Sequence, residues 1–109
     1  MKDHRLIDER SLAFHRLIAR KLRKNPSLAE KAKVTLQHWL VACDPSVRPA
    51  LIEWQHLTDG PFDALLELME CENERGARLR QSSPFCGFLS SEERIAILQE
   101  FQARDALSA

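Results

Sequence analysis

Apolar side chains recur every three or four positions along almost the whole chain, the spacing of helices that each bury one stripe. Leu6, Ile7, Phe14, Leu17, Ile18 and Leu22 mark the first helix. Asp3 or Asp8 is available to cap its start, and Asn25-Pro26 ends it. The same dipeptide opens a second helix from Pro26 to Ala42, because Asn is a favoured cap and proline at the first helical position gives up no hydrogen bond. Leu28, Ala32, Leu36, Trp39, Leu40 and Cys43 form its stripe.

In "CDPSVRPALIEW" two prolines force a turn near Asp44 and a new helix no later than Pro49, with Leu51, Trp54 and Leu57 inward. "TDGP" stops it, offering Gly60 for a left-handed C-cap and Pro61 as the start of the next element. Phe62, Leu65, Leu66 and Met69 then make a helix from Pro61 to Cys71 whose other faces are acidic. "CENERGARLRQSS" continues that helix or restarts it at Asn73, with Ala77 and Leu79 inward and Gly76 weakening it by ~1 kcal/mol relative to Ala.

Ser90 followed three positions later by Glu93 is a capping box and starts the last helix, on which Ile95, Leu98 and Phe101 share the inward spacing. The "RDALSA" end is expected to fray. No stretch alternates with period two, and no Asn-Gly or Asp-Gly turn separates candidate strands. The pattern therefore predicts an all-α fold, a compact bundle of five or six short helices with no β-sheet. At 109 residues the chain is expected to be a single domain, 1–109.

Between the last two helices lies "QSSPFCGFLS", which places Phe85, Phe88 and Leu89 on a connector. Turned inward, each of these hides an apolar side chain worth ~1.5 to 3 kcal/mol, and the segment is a clasp joining two helices, with Arg80 capping a helix C-terminus. Turned outward, they form an apolar patch that meets another molecule. In that second reading the contact surface is Arg78, Arg80, Gln81, Ser82, Ser83, Pro84 and Phe85. Phe85 would anchor in a pocket of the partner while the arginines pair with carboxylates.

Charge changes the picture only when the chain is divided. The formal net charge is zero, yet residues 1–40 hold ten Lys or Arg against four Asp or Glu, and residues 41–109 hold six against twelve. The two parts carry +6 and −6. Such a split means either internal complementarity or a basic surface for an anionic partner. In "HRLIARKLRKN" the side chains Arg16, Arg20, Arg23 and Lys24, with Lys31 and Lys33 beyond it, are the candidate nucleic-acid contacts, and a helix-turn-helix around Asn25 would present them. A pI near 6.9 and the lack of aromatic residues among these charges argue for a solvated face instead.

Little else points to chemistry. His4, His15, His38 and His56 form no metal-binding pair by spacing, and the three glycines are too far apart for a phosphate loop, so no metal and no cofactor is expected. Three widely spaced cysteines do not describe a disulfide framework and read as reduced thiols. Cys86, just before a helix start, is the candidate nucleophile, but no base neighbours it in sequence and its apolar surroundings favour the neutral thiol. The acidic run "LLELMECENE" reads as a solvated face rather than a general acid. No segment has the ~18 apolar residues of a membrane span, and charges throughout the first fifteen residues leave no signal peptide, so a cytoplasmic protein without a membrane partner is expected.

Residues Arg78, Leu79, Arg80, Gln81, Ser82, Ser83, Pro84 and Phe85, then Gly87, Leu89-Ser90 and Glu92-Glu93-Arg94, form a motif that resembles one shared by small uncharacterised all-helical bacterial proteins. A looser likeness extends through "HRLIARKLRKNPSL" and the Trp-containing middle. Cys86 and Phe88 depart from it, standing where the relatives carry smaller residues. The resemblance carries over no catalytic residue, and it implies an association with operons that look like toxin and antitoxin pairs. The expectation is a non-catalytic interaction module, an antitoxin-like partner of another small bacterial protein or a self-associating one. A DNA-binding regulator using the basic first helix is the alternative.

Overall fold

A computed structural model describes residues 4–108, with side chains described for 6–104. The described residues form six α-helices: α1 (His4–Lys24), α2 (Leu28–Ala42), α3 (Arg48–Asp59), α4 (Phe62–Glu70), α5 (Glu74–Arg80) and α6 (Ser91–Ser108). A short 3-10 turn, Cys86–Phe88, precedes α6, and no strand occurs among the described residues. The fold is an all-α bundle without a sheet.

Helix α1 is the hub: α4, α5, α6 and the 3-10 turn all pack on it. Helix α3 ties α2 to the rest by packing against both α2 and α4. One connected core results, built on Ile18, Leu22, Leu36, Trp54, Met69 and Phe85. Its position follows from sequence, since most of these residues are the inward spacings of their own helices.

Helix boundaries follow local chemistry. Between α1 and α2, the amides of Leu28, Ala29 and Glu30 bond the carbonyls three residues back, so the turn begins at Asn25 even though regular helix starts only at Leu28. Asp44 makes the next turn: its carboxylate accepts from the amide and the hydroxyl of Ser46, both at 2.9 Å. Arg48 then donates to the carbonyl of Leu40 at 3.0 Å and satisfies the end of α2. Asn73 restarts the chain after α4, its side chain accepting from the amide of Gly76 at 2.8 Å. The capping box of α6 is complete, with Glu93 N–H to Ser90 Oγ at 3.1 Å and Ser90 N–H to Glu93 Oε1 at 2.8 Å.

Three expectations are corrected. Asp8 lies inside α1, so it does not cap it, and Asp3 is outside the described residues. Gly60 has φ −92°, and no glycine is left-handed among the described residues; its amide bonds the carbonyl of Leu57 instead. Ile95 faces solvent, because α6 packs mainly on α1 and, of its inward spacings, only Phe101 is buried. Helix α6 runs to Ser108.

Candidate functional site

The connector after α5 turns inward. Phe85 is 0% exposed and sits in a file of rings through the core: His15 stacks on Trp54 at 6.5 Å, Trp54 meets Phe85 at 5.7 Å, and Phe88 meets Phe85 edge-on at 5.5 Å. Trp54 Nε1–H donates to the carbonyl of Leu79 at 2.7 Å, fixing α3 to the end of α5. Ser83 and Pro84 are buried beside Phe85, whose amide donates to Ser83 Oγ at 3.1 Å. The outer side of the segment is held as well, since Lys21 donates to the carbonyl of Phe88 at 3.3 Å and Arg94 donates to that of Cys86.

Arg80 is buried too, and its role is structural. Its Nη1 donates to the carbonyls of Leu68 at 3.2 Å and Cys71 at 2.9 Å, closing the C-terminal end of α4. Gly76 makes room for that guanidinium, because a Cβ there would fall 2.7 Å from Arg80 Nη1 and 2.6 Å from Cys71 Sγ. The expectation that Phe85 and Arg80 reach another molecule is therefore corrected: both are engaged inside their own chain, along with Ser83 and Pro84.

Of the seven residues expected at an interface, Arg78 and Gln81 remain exposed and Ser82 is half-buried. Arg78 leans on α3, its guanidinium 3.3 Å from Glu53. Gln81 and Ser82 line an open cleft of about 510 Å³, together with Ser83, the last turn of α2 and the α2–α3 turn. Across from them stand Trp39, Cys43, Val47 and Leu51, an apolar wall with His38 and Asp44 at its rim. Trp39 is 42% exposed. Its helical spacing places it on the inward stripe of α2, yet its ring opens into the cleft.

Electrostatically, the basic first helix meets the acidic end of α4. Arg23 pairs with Glu70, Arg16 with Glu72 at 3.5 Å, and Lys21 with Glu93 at 2.6 Å. The Arg23 guanidinium holds Glu70 below the usual carboxylate range, and Lys21 does the same for Glu93. The charge split between the two parts of the chain is thus used internally at these positions. Arg20 and Lys24 stay exposed on the same helix.

The thiol of Cys86 is pushed up by burial, with the charge of Arg94 and a hydrogen bond from Ser83 acting weakly the other way. Neither neighbour is a general base. His15 is buried, its Nδ1 2.8 Å from the carbonyl of Ser11 and its Nε2 without a partner among the described residues. Burial lowers its pKa to about 4, so the ring is neutral. No group of three or more His, Cys, Asp and Glu among the described residues is placed to hold a metal ion, and no described helix is long and apolar enough to cross a membrane.

Fold and site together define a helical bundle with an aligned aromatic core and an apolar-walled, polar-rimmed cleft. No protein-family model, curated protein or solved structure matches the chain.

Proposed function

We propose that this chain is a non-catalytic interaction domain, an antitoxin-like partner that binds another small bacterial protein in the cleft between Trp39 and Ser82. The observation that carries the reading is the half-exposed indole of Trp39, which shares a cleft with Val47, Gln81 and Ser82. Large aromatic side chains beside a pocket are the usual anchors of protein interfaces, and a polar rim that supplies hydrogen bonds completes such a patch. The occupant that fits is one apolar side chain of the partner, flanked by backbone groups for Gln81 and Ser82. Binding here acts by occlusion.

The same cleft offers little to an enzyme. Among the described residues neither His38 nor Asp44, which share the cleft, hydrogen-bonds to Cys43, Ser82 or Ser83, and Ser83 Oγ accepts from the Phe85 amide. Duplex DNA binding through Arg16, Arg20, Arg23 and Lys24 has less support, because Arg16 and Arg23 already face carboxylates.

The test is purification of the tagged full-length chain from its native host, followed by reconstitution with any small protein that accompanies it. The wild-type chain is expected to hold that protein through gel filtration and the Trp39→Ser variant to release it. A complex indifferent to Trp39→Ser and Ser82→Arg overturns the reading. Tight, steeply salt-dependent binding to duplex DNA in place of a protein complex would establish the alternative.

A further inference from the structure

From Val34 to Cys43 no residue carries a formal charge, although 29% of the chain does. A surface helix ordinarily turns charged or polar residues to solvent. The later turns of helix α2 do so only in part: among the described residues the helix packs extensively on α3 alone, through the side that carries Ala29, Ala32 and Leu36. On the opposite side Lys31, Val34, His38 and Val41 follow one another at spacings of three, four and three, the seam spacing of helices that pair. All four are exposed, Val34 at 49% and Val41 at 86%.

The ends of this stripe are charged and unsatisfied within the chain. Lys33, Lys21, Arg16, Arg23, Arg75 and Arg78 each have a carboxylate partner, whereas Lys31 has none among the described residues. Asp44, just past the C-terminal end of α2, accepts from Ser46 and pairs with no cation among the described residues. Those hydrogen bonds hold its carboxyl below the usual range.

We propose that this stripe is a homodimer interface in which α2 packs antiparallel on α2 of a second copy about a twofold axis between Gln37 and His38. That one axis sets Val34 opposite Val41 of the second copy, and brings Lys31 to the end of the second copy's α2, where Asp44 lies two residues beyond the helix. Both relations hold twice by symmetry, so the patch is complementary to itself. Antiparallel helix dipoles favour the arrangement further. The stripe faces away from the α3-packed side; His38 and Asp44 border both the interface and the cleft, whereas Lys31, Val34 and Val41 lie outside the cleft, so Val41→Glu tests the dimer without altering the cleft. A single pair of helices of this length, about 22 Å, buries an area at the low end for specific interfaces, and the dimer is accordingly weak and concentration-dependent.

Sedimentation equilibrium of the purified full-length chain alone, from a few micromolar to several hundred, tests this directly. A reversible monomer–dimer equilibrium is expected, weakened at least tenfold by Val41→Glu, whose site is too exposed for the change to disturb the monomer fold. Lys31→Glu and Asp44→Lys are each expected to weaken it, and the double variant to regain most of the wild-type association, with circular dichroism confirming that each variant is helical. A chain monomeric throughout the range overturns the proposal. So does a dimer unchanged by Val41→Glu, which would place self-association on another face, or a double variant no stronger than the weaker single one. Monomers that recruit a different protein through Val34 and Val41 likewise overturn it.

Discussion

Gly76 shows how one residue decides two interactions. As a helical glycine it costs α5 about 1 kcal/mol relative to Ala, yet its missing methyl is what admits the Arg80 guanidinium beneath the end of α4. Cys71 Sγ and Arg80 Nη1 both lie under 3 Å from where a Cβ would stand, and Arg80 is held by two carbonyls and cannot simply withdraw. Gly76→Ala is therefore expected to destabilise the protein by roughly 1 to 3 kcal/mol, despite its better helix propensity, because overpacking outweighs propensity here. Urea denaturation measures it. A variant as stable as wild type, or more so, would show that the guanidinium has an alternative seat.

At the scale of elements, the caps were the most legible feature. Asn73 and the Ser90–Glu93 pair are readable because a cap is a local event, its donor and acceptor separated by three residues. Ser90→Ala removes the acceptor for the Glu93 amide at the start of α6 and is expected to cost ~1 kcal/mol, whereas Ser90→Gly costs only a few tenths. Equal losses for the two substitutions in thermal unfolding would mean the box is not formed in solution. What spacing does not convey is how far a neighbour covers a stripe. Trp39 and Ile95 both sit at inward spacings and both emerge, Trp39 into the cleft it shares with Leu51 and Ile95 on a helix that packs mainly on α1. The inward turn of Phe85 and the cap made by Arg80 likewise depend on groups 9 to 31 residues away in sequence, namely Cys71, Leu68 and Trp54. No local signal carries that information, and both orientations of the connector were open until the rings of Trp54 and Phe85 were placed together.

Across the whole molecule, the buried imidazole of His15 makes stability depend on pH in a definite direction. Its folded pKa, about 4, lies below the ordinary value of 6.5, so the unfolded chain takes up a proton that the folded one refuses. The resulting stabilisation is full above pH 6.5 and is lost as pH falls toward 4, by roughly 3 kcal/mol in all. Arg80 is the charged group acting on the ring, and it adds to the penalty for protonation. Glu70 and Glu93 titrate below their ordinary range and contribute their losses at lower pH, so most of the interval from 6.5 down to 4.5 belongs to His15. Chemical denaturation as a function of pH is expected to show this slope in wild type and a flat profile in His15→Phe. A wild-type profile already flat over that interval would place the proton on the folded ring.

The same whole-molecule view separates what this domain keeps for itself from what it offers. Its aromatic residues are aligned inside, its basic helix is matched in part by its own acidic turn, and the surface left with an unburied indole is the cleft beside Ser82. The most direct measurement is an amide and indole NMR titration of the labelled chain with the small protein it retains from its host. The account predicts that the Trp39 indole and the amides of Val47, Gln81 and Ser82 shift, while Phe85 and the exposed face carrying Arg20 and Lys24 stay unperturbed. Shifts confined to that basic face, with the Trp39 indole unmoved, would contradict it.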